Sequence, residues 1–230
     1  MIQPDKIIKQ QLLSYLQEFI TPNKKHKFEE LILQRTRHIT IVLEDIYQPH
    51  NASAVLRSCD CFGIHDVHII ENMNKYEVNP DIALGSSKWL NLIKYSENEN
   101  NTEFCLKKLK SDGYRIIAAT PHENNFIPET LPLDMKTALI FGTELEGLSQ
   151  GALSLADGFV RIPMYGFTES FNISVSAALL LFALTDRLRK SDIRWQLTDD
   201  EKLDIQINWT KNVIKKSALI EKIFLERIKS

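Results

Sequence analysis

Residues 38–70 read HITIVLEDIYQPHNASAVLRSCDCFGIHDVHII, and this stretch decides the fold. It opens with a β-branched run of strand length, His38–Leu43, and closes with a second one, Val67–Ile70. Between them, Asn51–Phe62 has the composition of a helix that ends at Gly63, where a left-handed C-cap suits glycine. A strand, a helix and a strand at this spacing predict a parallel βαβ unit.

The same alternation continues along the central part of the chain. The sequence predicts further strands at 90–93, 114–119, 137–141 and 158–162, and helices at 102–111, 149–156 and 172–189. We therefore expect an α/β domain with a mostly parallel sheet and helices on both faces. Because such sheets bind ligands at the carboxyl ends of their strands, the loops to study follow Leu43, Ala119, Phe141 and Ile162.

Both ends of the chain read as helical additions to this domain. The first 35 or so residues have helical periodicity, interrupted at Thr21-Pro22-Asn23, and Asp199–Lys229 is a final amphipathic region. We predict a helical N-terminal arm at 1–37, a central domain at 38–190 and a helical extension at 191–230. The N-terminus lacks the pattern of a secretory signal, and no apolar stretch approaches the ~20 residues that span a bilayer.

The charges of the 230 residues are unevenly distributed. The total is −2, but residues 1–37 carry +3, residues 38–185 carry −8 and residues 186–230 carry +3. Basic ends on an acidic centre are compatible with a polyanionic partner that binds the ends. Solvated, lysine-rich helix faces produce the same pattern, so charge alone leaves both interpretations open.

Several common functional patterns are absent from the sequence. Three cysteines without a CxxC pair argue against a disulfide scaffold or structural zinc, and they fit a reducing cytoplasm. No GxGxxG follows the first strand, and no GxSxG elbow occurs. The segment 142–149 has the glycine spacing of a P-loop, but Leu148 replaces the lysine and two carboxylates would repel a triphosphate. His65 and His68 lie at the mouth of a predicted strand, where this spacing does not favour metal ligation.

Three loops at strand ends carry the functional signal. In the first, Asn51 stands where an N-cap would lie, residues 52–54 are small, and Arg57 interrupts an apolar helix. In the second, a buried strand ends at Gly142, and Glu144 follows. The third, 162–178, joins a strand to a helix whose start is crowded with Ser, Asn and Ala, as where a ligand lies across a helix N-terminus.

These three segments, in this order and spacing, resemble motifs 1, 2 and 3 of the SpoU/TrmH family of RNA ribose 2′-O-methyltransferases, in the SPOUT superfamily. The resemblance covers about residues 38–189. Within the family, the chain is most similar to the short members that methylate guanosine-18 in the D-loop of tRNA. Relatives that modify ribosomal RNA usually carry a full N-terminal RNA-binding domain, and 37 residues are too few to form one.

The resemblance implies a fold, a cofactor and an assembly that periodicity does not show. The family folds as an α/β domain whose C-terminal part forms a deep trefoil knot, and it works as a homodimer with active sites near the subunit interface. The knot holds S-adenosylmethionine, largely through backbone groups. Carried over to this chain, the cofactor contacts would be Thr120, Gly142, Ile162 and Phe171.

The resemblance also assigns the catalytic residues. Arg57 matches the principal catalytic residue of the family, and we expect it to position the ribose 2′-hydroxyl electrostatically, because arginine is a poor base. Asn51 would orient Arg57 or the ribose, and Glu144 would hold the arginine. Ser170 and Asn172 would shape the pocket beside the methyl group. No metal is implied.

The basic ends are where such an enzyme would contact the tRNA backbone. The candidate phosphate contacts are Arg35, Arg37, Lys211, Lys215 and Lys216. The alternatives to guanosine-18 methylation are methylation of another tRNA position or of ribosomal RNA, and a catalytically silent RNA-binding module. A nucleotide-binding oxidoreductase lacks its glycine fingerprint.

Overall fold

The structure is a computed structural model that describes residues 6–75, 85–123 and 125–228. Its contacts divide the chain into two units. One unit comprises Thr36–Trp195, and the other combines the segment up to Arg35 with the segment from Gln196 onward.

The first unit is built on a six-stranded sheet with the order β3-β2-β1-β5-β4-β6, in which every neighbouring pair is parallel. This confirms the predicted α/β class. The strands are β1 (Ile39–Glu44), β2 (Asp66–Ile70), β3 (Asn91–Tyr95), β4 (Tyr114–Ala119), β5 (Lys136–Phe141) and β6 (Gly158–Val160).

Helices cover both faces of this sheet. They are α3 (Pro49–Phe62), α4 (Asn101–Ser111), α5 (Gln150–Leu155) and α6 (Ile173–Arg189), with a 3₁₀ turn at Ser86–Lys88. Because strand side chains alternate between faces, Ile41 and Leu43 pack with α3 and α6, whereas Val42 packs with α4 and α5. All six residues of β1 are buried, as expected for a central strand of a parallel sheet.

Local sequence signals explain most helix boundaries. Gly63 ends α3 with a φ of 79°, as predicted, and the Ser149 side chain caps α5 by accepting from the Ala152 amide. The prediction that Asn51 is an N-cap is wrong. Gln48 occupies that position and Pro49 begins α3, because proline suits the first helical turn, so Asn51 lies buried inside the helix.

Strand β6 also differs from the prediction, since it ends at Val160 and not at Ile162. On the edge of β6 away from β4, the Phe126 amide donates to the Phe159 carbonyl oxygen at 3.0 Å and the Arg161 amide donates to the Phe126 carbonyl oxygen at 2.9 Å, which forms a single parallel bridge and no further strand.

The second unit consists of helices from both ends of the chain. These are α1 (Lys6–Gln17), α2 (Pro22–Ile32), α7 (Asp199–Val213) and α8 (Ser217–Arg227). Helices α1, α7 and α8 share one apolar cluster, formed around Leu12, Leu16, Leu203, Ile207 and Phe224. The two ends therefore form a common core.

Two boundaries in these end helices differ from the sequence prediction, which places an interruption at Thr21-Pro22-Asn23 and none after Asp199. Helix α2 begins at Pro22, because the Thr21 side chain caps it by accepting from the Lys24 amide. The region predicted as one amphipathic stretch divides at Lys216, whose φ of 63° interrupts the helical backbone. Its predicted last residue, Lys229, lies outside the described residues. None of the described helices is long and apolar enough to cross a membrane.

Candidate active site

The strand order places a crevice between β1 and β5. From β1 the chain continues to β2 and β3 on one side, whereas β5, β4 and β6 lie on the other side. In open α/β sheets, ligands bind at the carboxyl ends of the strands at such a switch point. The segments that follow β1 and β5 meet there: the first leads into α3, which carries Asn51 and Arg57, and the second is the loop with Gly142 and Glu144.

A hydrogen-bond network joins all three segments at this edge of the sheet. The Asn172 Nδ2 donates to Asn51 Oδ1 at 3.0 Å and to Glu144 Oε1 at 2.6 Å. The Asn51 Nδ2 in turn donates to Gln48 Oε1 at 3.1 Å. One amide group therefore connects the helix after β1, the loop after β5 and the start of α6.

Asn172 can serve this network because it is also the N-cap of α6. Its Oδ1 accepts from the Ser174 amide at 2.9 Å and from Ser174 Oγ at 2.6 Å. Using the side-chain oxygen for the cap orients the amide nitrogen toward Asn51 and Glu144. The helix start thus fixes the geometry of the polar cluster.

The loop after β5 is a tight turn that requires glycine at both ends. Thr143 and Gly147 exchange backbone hydrogen bonds at 2.9 and 3.1 Å, and Gly147 has a φ of 71°. A Cβ on Gly142 would lie 2.1 Å from the Gly147 carbonyl oxygen. Only glycine fits there, and the exposed Glu144 is held at the crest of this turn.

A cavity of about 650 Å³ opens beside this turn. Among the described residues, its lining includes the carboxylates of Glu144, Glu146 and Glu169 and no lysine or arginine. The acidic lining suits a ligand that carries positive charge and disfavours one that carries phosphates. All four predicted cofactor contacts line this cavity, as do Ser170 and Asn172; the four are Thr120, Gly142, Ile162 and Phe171.

A second cavity, of about 230 Å³, lies against the same turn. It shares with the larger cavity the residues Thr143–Glu146 and Ile173, and it also contains Asn51. Tyr47 and Met73 form exposed apolar parts of its lining. The polar cluster therefore stands between two adjoining cavities.

The structure does not bring Arg57 into this cluster. Its side chain is exposed on α3 and lines neither cavity. No hydrogen bond or ion pair connects it to Asn51, to Glu144 or to any other described residue. Within a single chain, Glu144 and Asn51 therefore hold Asn172 and not the arginine.

The predicted RNA contacts have different surroundings. Arg35 is 4% exposed, and its guanidinium lies 5.2 Å from the centre of the Trp209 ring. Arg37 pairs with Asp66 at 2.9 Å, and Lys211 pairs with Glu221 at 2.6 Å. The exposed Lys215 and Lys216 have no ion pair within the described part of the chain.

Sequence reasoning missed Gln48, Ser174 and Tyr47 as components of the site. Ser174 follows a capping Asn by two residues, a spacing that fits such a bond. Proline is common at the first position of a helix, so Pro49 indicates that the residue before it, Gln48, is the N-cap. Glutamine is an unusual residue at an N-cap, and this hid the signal. No group of three or more metal-type side chains occurs in the described ranges.

The fold and the site define an α/β ligand-binding domain with a charged, hydrogen-bonded cluster at the topological switch point. The profile of the SpoU rRNA Methylase family matches residues 38–182, and the chain belongs to this family. This confirms the resemblance on which the site residues were predicted.

Similar proteins agree with the family assignment. The tRNA (guanosine(18)-2′-O)-methyltransferase of Borreliella burgdorferi is 44% identical over 95% of this chain and 98% of its own length. An enzyme of the same description from Thermus thermophilus is 31% identical over 81% of this chain and 92% of its own. The crystal structure of the A. aeolicus TrmH/SpoU tRNA modifying enzyme superposes with a TM-score of 0.73 at 26% identity, covering 84% of this chain and 98% of that one.

Proposed function

We propose that the protein transfers the methyl group of S-adenosylmethionine to the ribose 2′-hydroxyl of guanosine-18 in tRNA. The observation that carries this proposal is the bond pair from Asn172 to Asn51 and Glu144, which joins the three family motifs beside a cofactor-sized cavity. Two relatives that bear the name of this activity match 95% and 81% of the chain.

The larger cavity fits the cofactor on chemical grounds. Its carboxylates complement a sulfonium cation, and the glycine turn lets a ligand contact the loop backbone closely. We propose that Thr120, Gly142, Ile162 and Phe171 hold the cofactor there.

The protein has to orient the attacking hydroxyl and assist the loss of its proton. S-adenosylmethionine, when bound, would supply a methyl group activated by its sulfonium charge, and its sulfur would keep the electron pair of the C–S bond. Glu144 uses Oε1 for Asn172 and leaves Oε2 without a partner among the described residues. We propose that this oxygen accepts the hydroxyl hydrogen. Asn51 and Ser170 would complete the surroundings of the ribose.

We propose that Arg57 acts in a site completed by a homodimer. Helix α6 exposes three apolar side chains, and α3, which carries Arg57, packs beside it. The three are Val175, Leu179 and Phe182. An apolar surface of this kind is typical of a protein interface, and a second copy on it would complete a site that one chain leaves without its arginine.

Mixing two inactive variants tests the arrangement across subunits. We expect Arg57→Ala and Asn172→Asp to be inactive separately. If Arg57 of one protomer serves Asn172 of the other, mixed dimers contain one intact site and regain up to half of the parental activity. Mixtures that remain inactive, with subunit exchange verified by differential tags, would place both residues in the same chain.

The RNA contacts that we retain are Arg37, Lys211, Lys215 and Lys216. Arg35 is omitted because its buried guanidinium packs on Trp209. We propose that the Thr36–Trp195 unit performs the transfer and contributes Arg37, and that the unit formed by the two ends contributes the three lysine contacts, in a cytoplasmic enzyme.

The proposed reaction is tested with two synthetic tRNAs that differ in one oxygen atom. The first has guanosine at position 18, and the second has 2′-deoxyguanosine there. We expect labelled methyl transfer to the first and none to the second. Equal labelling of both tRNAs would exclude the 2′-hydroxyl of guanosine-18 as the methyl acceptor and favour another tRNA position.

A further inference from the structure

We propose that the smaller cavity binds the base of the methyl-accepting nucleotide, with the face of the base stacked on Tyr47 and against Met73. This inference rests on the proposed function and adds the site that takes the base. The cavity has a volume of about 230 Å³, and its walls come from the segments after β1, β2 and β5 and from the start of α6.

The position of the cavity argues for the acceptor and not for the cofactor. It adjoins the larger cavity across the turn Thr143–Glu146, and both cavities touch Ile173. Asn51 lines the smaller cavity, and Glu144 lines both. A nucleotide whose base lies in the smaller cavity therefore has its ribose next to the Asn51–Asn172–Glu144 cluster, facing the cofactor cavity.

The lining of the cavity suits the flat face of a nucleobase. Tyr47 is 75% exposed and Met73 is 84% exposed, although both are large apolar side chains. Among the described residues, no lysine or arginine lines this cavity, so a phosphate is an unsuitable occupant. Bases in RNA loops are recognised after they leave their stack and pack on aromatic side chains. The side chains of Gln48 and Asn74 also line this cavity, and their amide groups can hydrogen-bond the polar edge of the base.

The cavity wall that carries Met73 is held by Asp45, whose backbone conformation is unusual. Asp45 has a φ of 51°, which is uncommon for any residue other than glycine. Its Oδ1 accepts from the backbone amides of Asn72, Met73 and Asn74, at 2.7, 2.8 and 3.2 Å. Backbone strain of this kind persists where the surroundings hold it, and it is enriched at functional sites. Asp45 thus acts as a positioning residue that holds Met73 in the wall of the cavity that Tyr47 also lines.

Steady-state kinetics separate this role from cofactor binding. We expect Tyr47→Ala to raise the KM for tRNA about tenfold, in the range for loss of one base–aromatic stack. The affinity for S-adenosylmethionine should be unchanged. Tyr47→Phe should behave as the parent, because a phenyl ring stacks equally well. Phe104→Ala is the matched control, since Phe104 is a half-exposed aromatic on α4 that lines neither cavity.

A spectroscopic probe reports stacking directly. The probe is tRNA with 2-aminopurine in place of the base at position 18, because the fluorescence of 2-aminopurine is quenched when it stacks. We expect the parent and Tyr47→Phe to hold the bound base in a quenched state. With Tyr47→Ala, saturating protein should raise the fluorescence severalfold.

The outcomes distinguish a failure of the proposed base pocket from a failure of the proposed methyl transfer. If the parent methylates tRNA at position 18 while Tyr47→Ala keeps both parental KM and parental fluorescence, the base pocket is refuted and the reaction stands. If Tyr47→Ala weakens S-adenosylmethionine binding instead, the cavity belongs to the cofactor and the inference is overturned. If the parent methylates no tRNA, the proposed function itself fails.

Discussion

Asn172 performs two tasks with one amide group. Its oxygen caps α6, and its nitrogen holds Asn51 and Glu144. The sequence predicted Asn172 as a site residue through the family motif. The sequence could not predict that the oxygen caps the helix while the nitrogen binds the other two motifs, since this depends on the direction in which α6 starts.

The substitution Asn172→Asp separates these two tasks. Aspartate caps helices as well as asparagine does, but it lacks the Nδ2 donor and places a carboxylate beside Glu144. We expect kcat to fall by about 100-fold or more, with a melting temperature within a few degrees of the parent. Comparison of methyl-transfer rates with calorimetric unfolding tests this. Ser174→Ala, which keeps the bonds to Asn51 and Glu144, should retain more activity.

His68 gives the stability of the protein a defined pH dependence. It is 5% exposed in β2, its Nδ1 lies 3.0 Å from the Tyr95 hydroxyl, and burial lowers its pKa from 6.5 to about 4. Between these two values, the unfolded chain takes up a proton at His68 that the folded chain does not. The free energy of unfolding should therefore fall as the pH falls through this window, by about 3 kcal/mol in total.

Denaturant titrations at pH 7, 5.5 and 4 measure this effect. His68→Phe keeps a ring against Tyr95 but cannot titrate, so its stability should depend less steeply on pH. Parallel curves for the parent and this variant would show that His68 does not contribute.

Among the structural elements, the turn after β5 has no room for a side chain at Gly142. A Cβ on Gly142 would overlap the backbone of Gly147 and Leu148, so Gly142→Ala must displace the turn. We expect the affinity for S-adenosylmethionine to fall at least tenfold and the stability by about 1–3 kcal/mol.

The matched control for this substitution lies in the next helix. At Gly151 in α5, the nearest atom to a new Cβ is Ser149 Oγ at 3.6 Å, an ordinary contact. Gly151→Ala should bind the cofactor as the parent does and be neutral or slightly more stable. Isothermal titration calorimetry on both variants checks the contrast, and equal binding by both would refute the role of the turn.

A buried carboxylate joins β1 to two helix starts. Glu44 is 2% exposed and accepts from Thr102 Oγ1 at 2.6 Å, Ser149 Oγ at 2.7 Å and the Ser149 amide at 3.0 Å. Glu44→Ala would leave the buried Thr102 hydroxyl and the two Ser149 donors without their acceptor, at a cost of about 3 kcal/mol. Glu44→Gln keeps one oxygen and should lose less. Chemical unfolding measures both, and equal stability of Glu44→Ala and the parent would contradict the account.

At the level of elements, the sequence predicted the strands well because β-branched runs such as Ile39–Leu43 are fully buried. It predicted Asn51 as a cap wrongly, because a good capping residue stood near a helix start whose actual boundary is set by Pro49. The break at Lys216 gave no signal either, since lysine is common inside helices and rare at positive φ.

On the scale of the whole molecule, the two chain ends share an apolar core. Periodicity predicted helices at both ends, but it does not reveal that Leu12 and Leu16 pack with Leu203 and Ile207. Pairing between distant segments depends on the chain path, which local patterns do not encode. Local patterns do not encode a trefoil knot either, and the knot stays a prediction from the family resemblance.

The exposed Lys215 and Lys216 predict a salt effect on tRNA binding. Each phosphate contact that is lost lowers the slope of log Kd against log salt by about one. The double variant Lys215→Ala/Lys216→Ala should therefore bind all tRNAs more weakly, with a slope lower by about two. Lys107→Ala, on α4 and paired with Glu103, is the control. An unchanged slope in the double variant would remove these lysines from the interface.

The most direct test of the central claim is to map the ribose methylation by mass spectrometry. The protein is incubated with S-adenosylmethionine and an equal mixture of unmodified tRNA and ribosomal RNA transcripts, with Asn172→Asp in parallel. We predict one methylated ribose, that of guanosine-18 in tRNA, and no methylation by the variant. Methylation confined to ribosomal RNA or to another tRNA position, or no methylation of either RNA, would contradict it.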